Sequence, residues 1–127
     1  MKRLLLMRHA ATSHAAFGQS DHDRDLTKEG IAEARLMSKK LINQNLLFDF
    51  FLTSSAVRAV STCKIVSAQL GLAKQEIKIL NDLYNCTIYD LKKNITLLSQ
   101  DANTVAVFGH NPSMHIISES ISNHRIP

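Results

Sequence analysis

FDFFLTSSAVRAVSTCKIVSAQLG, residues 48–71, holds the strand and helix that set the architecture. Phe48 to Leu52 is apolar apart from Asp49. A short apolar run of this kind marks a strand buried on both faces. Thr53-Ser54-Ser55 follows as a polar turn and helix N-cap. From about Ala56 to Leu70, the residues Ala59, Cys63, Val66 and Leu70 share one helical face. Gly71 stands where a C-cap glycine ends a helix.

The same alternation continues in both directions. Toward the N-terminus, Thr27 can cap a helix running to about Asn43. Its apolar positions Ile31, Ala34, Leu41 and Ile42 recur at helical spacing. Residues 10–25 read as a loop rich in Ala, Ser, Asp and His. Leu4 to Met7 is a continuous apolar run and a second buried strand. Toward the C-terminus, Ile77 to Leu80 reads as a short strand. Ile88, Leu91, Ile95 and Leu98 mark a third helix. Thr104 to Phe108 is a β-branched apolar strand, and Gly109 to Pro112 is a turn. Pro112 can open a final helix to about Ser122.

The order β-α-β-α-β-α-β-α predicts an α/β fold. Its sheet is mostly parallel, with helices on both faces, which makes a three-layer α/β/α sandwich. The chain has 127 residues with 45% apolar and 20% charged, so one domain over residues 1–127 is expected. No repeat, low-complexity segment or Pro/Gly-rich linker divides it.

Composition narrows the function classes. Fifteen Lys and Arg against eleven Asp and Glu leave a net charge of +4. The positives are scattered as Lys2-Arg3, Lys39-Lys40 and Lys92-Lys93. Few aromatics are available to stack on bases, so nucleic acid is not the expected partner. No apolar stretch approaches the ~20 residues of a membrane span. Arg8 ends the N-terminal apolar run too early for a secretion signal. A cytoplasmic protein with no membrane partner is therefore expected. Cys63 and Cys86 are too far apart for a CxxC redox or zinc motif, and read as core residues. The histidines His14, His22, His115 and His124 match no metal spacing. Neither a metal nor another cofactor is expected.

In open parallel sheets, ligands bind beyond the carboxyl ends of the strands. Arg8-His9 follows the first strand. Thr53-Ser54-Ser55 follows the second, with Arg58 on the first turn of the next helix. Gly109-His110-Asn111-Pro112 follows the last. Two arginines and two histidines thus stand at strand ends. Arginine's planar fork matches phosphate oxygens two at a time. Neutral histidine is a nucleophile near pH 7. Phosphoryl transfer needs mainly positioning and charge stabilisation. The set suits that chemistry, although each member alone more often reads as a solvated turn, a surface helix residue or, for His110, a hydrogen-bonded structural histidine.

Three segments resemble the histidine phosphatase superfamily. They are Leu6-Met7-Arg8-His9-Ala10, the stretch from Thr53 to Thr62 with Ser54, Ser55, Arg58 and Ala59, and Val107-Phe108-Gly109-His110-Asn111-Pro112. The nearest subgroup is the short SixA-type phosphohistidine phosphatases, which share Asp23-Arg24-Asp25-Leu26-Thr27 and Leu83-Tyr84-Asn85. The resemblance spans the whole chain in order, and it implies a phosphoglycerate mutase-like fold. It implies that His9 attacks phosphorus and becomes a phosphohistidine that water hydrolyses. Arg8 and Arg58 would bind the phosphate oxygens, and His110 would donate to them. Arg24 and Asn111 would contact the substrate. Asp82 falls near the place of the leaving-group acid of mutase-like members. Ser55 and Asp25 stand where the family usually has proline. SixA-type sequences continue into a further strand, and this sequence stops at Pro127.

The resemblance implies a phosphorylated protein, above all a phosphohistidine protein, or a small phosphoester as substrate. Free phosphate or sulfate should be able to occupy the same site. Two other readings remain open from the sequence. One is a non-catalytic phosphate-binding or phosphoprotein-binding module. The other is a small-molecule phosphomonoesterase. A mutase is less in keeping with the short connections, which leave few places for a lid.

Overall fold

The computed structural model describes residues 3–8, 10, 12, 19–71, 77–84, 86–96 and 104–110. Four strands are present among them: β1 (Arg3–Arg8), β2 (Phe50–Ser54), β3 (Ile77–Leu80) and β4 (Thr104–Gly109). Three α-helices accompany them: α1 (Lys28–Asn43), α2 (Val57–Leu70) and α3 (Ile88–Thr96). Two 3-10 turns, Asp21–Asp23 and Asn81–Leu83, complete the regular structure.

The sheet order is β1-β4-β2-β3, and every pairing is parallel. All six residues of β4 are buried, as its central place requires. Leu4 to Leu6 of β1 are only half-buried, because β1 is flanked by β4 on one side alone among the described strands. The side chains alternate between two cores, as strand geometry dictates. Met7, Phe51, Ala106 and Phe108 pack with Leu41 of α1 and with Cys63 and Val66 of α2. Leu52, Val105 and Val107 pack with Leu91 of α3 and with Leu83 and Cys86. Helices therefore cover both faces, and the architecture is the expected three-layer α/β/α sandwich.

Local chemistry explains the element ends. Thr27 caps α1, its Oγ1 accepting from Gly30 N–H at 3.0 Å. Gly71 ends α2 at φ 73°, the left-handed conformation a side chain disfavours. The buried stripe of α1 is Gly30, Ala34, Ser38 and Leu41. Ile42, expected on that stripe, is instead exposed.

The first and last strands extend slightly beyond the sequence reading, to Arg3–Arg8 and to Gly109, and the second strand departs from it most. The second strand starts at Phe50 rather than Phe48, and it takes in Thr53 and Ser54. Asp49 sits just before it and grips the start of β4. Its N–H donates to Thr104 C=O at 2.9 Å, and its carboxylate accepts from Thr104 N–H at 2.9 Å. The expected serine and threonine cap of α2 is absent. Its N-cap is Ala56, which makes no side-chain capping bond. The final helix expected from Pro112, and Leu98 of the third, lie outside the described residues.

Candidate active site

Parallel pairing brings all four strand ends to one edge of the sheet. Arg8, the last residue of β1, is exposed and lies in register with Gly109 of β4. His110 follows directly and is 3% exposed. β2 delivers Ser54 and Ser55 to the same edge, and Arg58 follows on the first turn of α2. β3 delivers the Asn81–Leu83 turn and then Tyr84.

Arg58 is the centre of this edge. It is 4% exposed, which is costly for a guanidinium unless its donors are met. Its Nη1 donates to the Asp21 carbonyl at 2.6 Å, and its Nη2 to Asp21 Oδ2 at 3.0 Å. Nη2 also donates to His110 Nδ1 at 3.2 Å. Nε is buried and has no hydrogen-bond partner among the described residues, and neither has the buried Ser54 Oγ. A guanidinium has donors only, so His110 Nδ1 must accept. The neutral ring of His110 then carries its proton on Nε2, as a donor.

Asp21 joins the cluster together. Its Oδ1 accepts from Arg24 Nε at 3.1 Å and Arg24 Nη2 at 2.9 Å. Its Oδ2 accepts from Tyr84 Oη at 2.7 Å as well as from Arg58. These donors hold the Asp21 carboxyl down at about 2, with the Tyr84 hydrogen bond the largest cause and the Arg58 bond and charge next. Partial burial opposes them. The Tyr84 hydroxyl is pushed above its ordinary range by the same carboxylate. The Tyr84 ring stands edge-on to His110 at 5.0 Å and to His22 at 5.2 Å. His22 Nε2 shares a hydrogen bond with Ser55 Oγ at 2.9 Å, which ties the loop to the start of α2.

A second tie fixes the exit of β1. Ala10 N–H donates to Thr62 Oγ1 at 3.2 Å, and Thr62 Oγ1 donates to Arg58 C=O at 2.8 Å. The chain leaving β1 is thus pinned to the helix that carries Arg58. His9 and Asn111 lie outside the described residues. Asp82 is exposed on the Asn81–Leu83 turn, at the mouth of this edge.

The structure links Arg58 directly to His110 and, through Asp21, to Arg24, while Arg8 and Asp82 stand exposed at the ends of β1 and β3. It adds Asp21 and Tyr84, which the sequence reading had not singled out. Tyr84 lay inside a recognised segment, but nothing in sequence pairs it with a carboxylate 63 positions away. Chemically, the cluster offers a buried, unpartnered donor on Arg58 Nε, next to His110 and beside the uncapped start of α2. That arrangement suits an oxyanion. A separate, mostly apolar groove lies between α2 and β3, lined by Val60, Cys63, Ile77 and Ile79. It holds none of the strand-end charged groups, and convergent chemistry rather than concavity locates the site.

Comparison with known proteins places the chain in a family and matches its fold. The profile of the histidine phosphatase superfamily, branch 1, matches residues 4–112. An uncharacterized chloroplastic protein of Arabidopsis thaliana is 31% identical over 118 residues, covering 87% of this chain and 54% of that protein. The 2,3-bisphosphoglycerate-dependent phosphoglycerate mutase of Methylobacterium radiotolerans is 38% identical over 93 residues, 65% of this chain and 39% of the mutase. The chain thus spans about half, or less, of the length of these curated relatives. Among solved structures, SixA of Agrobacterium tumefaciens superposes with a TM-score of 0.84 at 28% identity, covering 94% of this chain and 75% of that one. The protein histidine phosphatase SixA complexed with tungstate gives 0.86 at 26%, covering 98% and 80%.

Proposed function

The chain belongs to the histidine phosphatase superfamily, branch 1, and from that premise we propose that it is a phosphatase that carries the phosphoryl group on His9. The observation that carries this reading is the buried contact of Arg58 Nη2 with His110 Nδ1 at 3.2 Å, at the strand end where Arg8 also stands. Arg58 and His110 meet at the strand ends where Arg8 stands, next to the position that the sequence reading assigns to the nucleophile.

In the proposed reaction His9 attacks phosphorus, and the bond to the leaving group breaks. Water then attacks the phosphohistidine, which releases phosphate and restores His9. Arg8 and Arg58 hold the equatorial oxygens, and His110 Nε2–H donates to them in the transition state. Arg24 and Asn111 are assigned to substrate contact. Asp82 is assigned as leaving-group acid for ester substrates. A phosphohistidine substrate needs a strong acid less, because its P–N bond is labile.

The proposed substrate is a phosphohistidine protein. The SixA neighbours support this, and the tungstate in one of them supports an oxyanion at this site. Asp82 and Asp21 are both exposed, and accessible groups of this kind suit a protein substrate better than an enclosed metabolite. Phosphate or sulfate is proposed to occupy the site when substrate is absent. A cytoplasmic location belongs to the same proposal and rests on the sequence reading. Among the described residues, no helix is long and apolar enough to cross a membrane.

The test is hydrolysis of a phosphohistidine-bearing protein and of para-nitrophenyl phosphate by the parent, His9→Ala and Arg58→Ala. His9→Ala should abolish turnover. Arg58→Ala should lower kcat by about 10²–10³-fold, the loss seen for a single transition-state donor. Undiminished turnover in His9→Ala would overturn the mechanism. Faster hydrolysis of the small ester would move the substrate class to phosphomonoesters. Phosphate binding without any turnover would favour the binding module.

A further inference from the structure

Arg58 has five N–H donors, and the structure fixes the direction of three of them. Two of the three go to Asp21, one to its carbonyl and one to its carboxylate. The third goes to His110. Two donors are left, the second Nη1 N–H and Nε, and Nε is the one that is buried and unpartnered among the described residues, ready for a ligand. We propose that Asp21 is a positioning residue, whose carbonyl and carboxylate hold the end of the Arg58 fork and so present its Nε edge to the transferring phosphoryl group. This inference rests on the phosphatase reading above and adds a residue to it.

Asp21 could have the opposite effect. A carboxylate beside an oxyanion site can compete with the substrate for the same arginine. Two features argue for positioning instead. First, the carboxylate is already saturated. Oδ1 takes two donors from Arg24, and Oδ2 takes one from Arg58 and one from Tyr84. Second, it reaches Arg58 from the loop side. Asp21 is 55% exposed while Arg58 is 5% exposed, so the anion sits at the outer end of a buried fork. Its repulsion of an incoming dianion is screened by solvent there. Misplacing a transition-state donor by even 1 Å can cost on the order of 10²-fold in rate. The geometric loss on removing Asp21 should therefore outweigh the electrostatic gain.

The arrangement also gives Arg24 and Tyr84 a part. Both act on Arg58 through Asp21, and neither needs to touch substrate for this. Tyr84 reaches the cluster from the turn after β3, and Arg24 from the loop before α1. The hub thus couples two segments, the loop before α1 and the turn after β3, to one guanidinium.

The experiment compares the parent with Asp21→Ala, Asp21→Asn, Arg58→Lys and the Asp21→Ala/Arg58→Lys double variant. The readouts are para-nitrophenyl phosphate kinetics and calorimetric binding of orthovanadate and of inorganic phosphate. Vanadate takes the five-coordinate geometry of the transition state, whereas phosphate reports the ground state. Asp21→Ala should lower kcat by about 10²-fold and change KM by less than about threefold. Vanadate affinity should fall with kcat, and phosphate affinity by only a few-fold. Asp21→Asn should lose less, because its amide oxygen still accepts. On the Arg58→Lys background, Asp21→Ala should cost little more. Parental kcat with tighter phosphate binding in Asp21→Ala would overturn the proposal in favour of charge competition. Losses that multiply in the double variant would also overturn it. If Asp21→Ala does not fold, Asp21→Asn carries the same comparison. A parent that binds both anions but hydrolyses nothing overturns the functional reading alone, and the affinities then decide this inference. A parent that binds neither anion overturns both.

Discussion

Asp21 illustrates how little a single residue shows before folding. In sequence it is one acid of a polar loop, between Ser20 and His22. In the structure it collects donors from Arg24, Arg58 and Tyr84, and its carboxyl is held at about 2 against an ordinary 3.8. A lowered folded value has a definite sign. The folded state gains stability above the ordinary value and loses it as pH falls toward 2. Thermal midpoints followed from pH 5 to pH 2 should therefore decline in the parent. Tyr84→Phe removes the largest lowering cause, so its decline over the same window should be shallower. The difference should shrink at high salt, because the carboxylate is half exposed. Parallel curves for the two proteins would rule this account out. Arg58 and His110, by contrast, stand in places that periodicity identifies: His110 directly follows a strand, and Arg58 is on the first turn of the helix after another.

At the scale of elements, caps and stripes decide boundaries. α1 starts where it does because Thr27 Oγ1 meets the Gly30 N–H. Thr27→Ala should cost about 1 kcal/mol, read from the urea midpoint at unchanged slope. A loss below about 0.3 kcal/mol would show that packing alone sets this end. α2 starts differently. Thr53 and Ser54 read as a cap from their residue types, but β-pairing with β3 recruits them into β2. Ser55 is taken by His22 instead. The helix is left with Ala56 at its start, and the uncapped turn faces the candidate site. Propensity signals cap and strand with the same residues here, and only the partner strand chooses.

At the scale of the whole molecule, two cores stand on either side of the sheet. Phe51 lies fully buried on the α1 and α2 side, edge-on to Phe48 at 5.2 Å and 5.0 Å from Phe108. Phe51→Ala should cost about 3–5 kcal/mol, because close-packed neighbours collapse only partly into the space. A loss under 1 kcal/mol would mean that the aromatic cluster repacks freely. Cys63 lies in the same core, and burial pushes its thiol up to about 12. It is a packing residue, in line with the sequence reading, and Cys86 is shifted upward for the same reason. The aromatic and β-branched core belongs to the fold, and the charged strand ends form the candidate site.

The order of elements from β1 to β4, the parallel sheet and the two-sided cover were determined by sequence alone. They follow from apolar spacing, and that spacing has only one economical way to be buried. The positions of Arg8, Arg58 and His110 at strand ends followed from the same pattern. The meeting of Arg58 with His110, the tautomer it imposes, and the hub at Asp21 were decided by tertiary structure. These contacts join residues 37 to 63 positions apart. No local signal encodes such pairs, because the partners become neighbours only when β2, β3 and β4 line up in register and a loop folds over their ends.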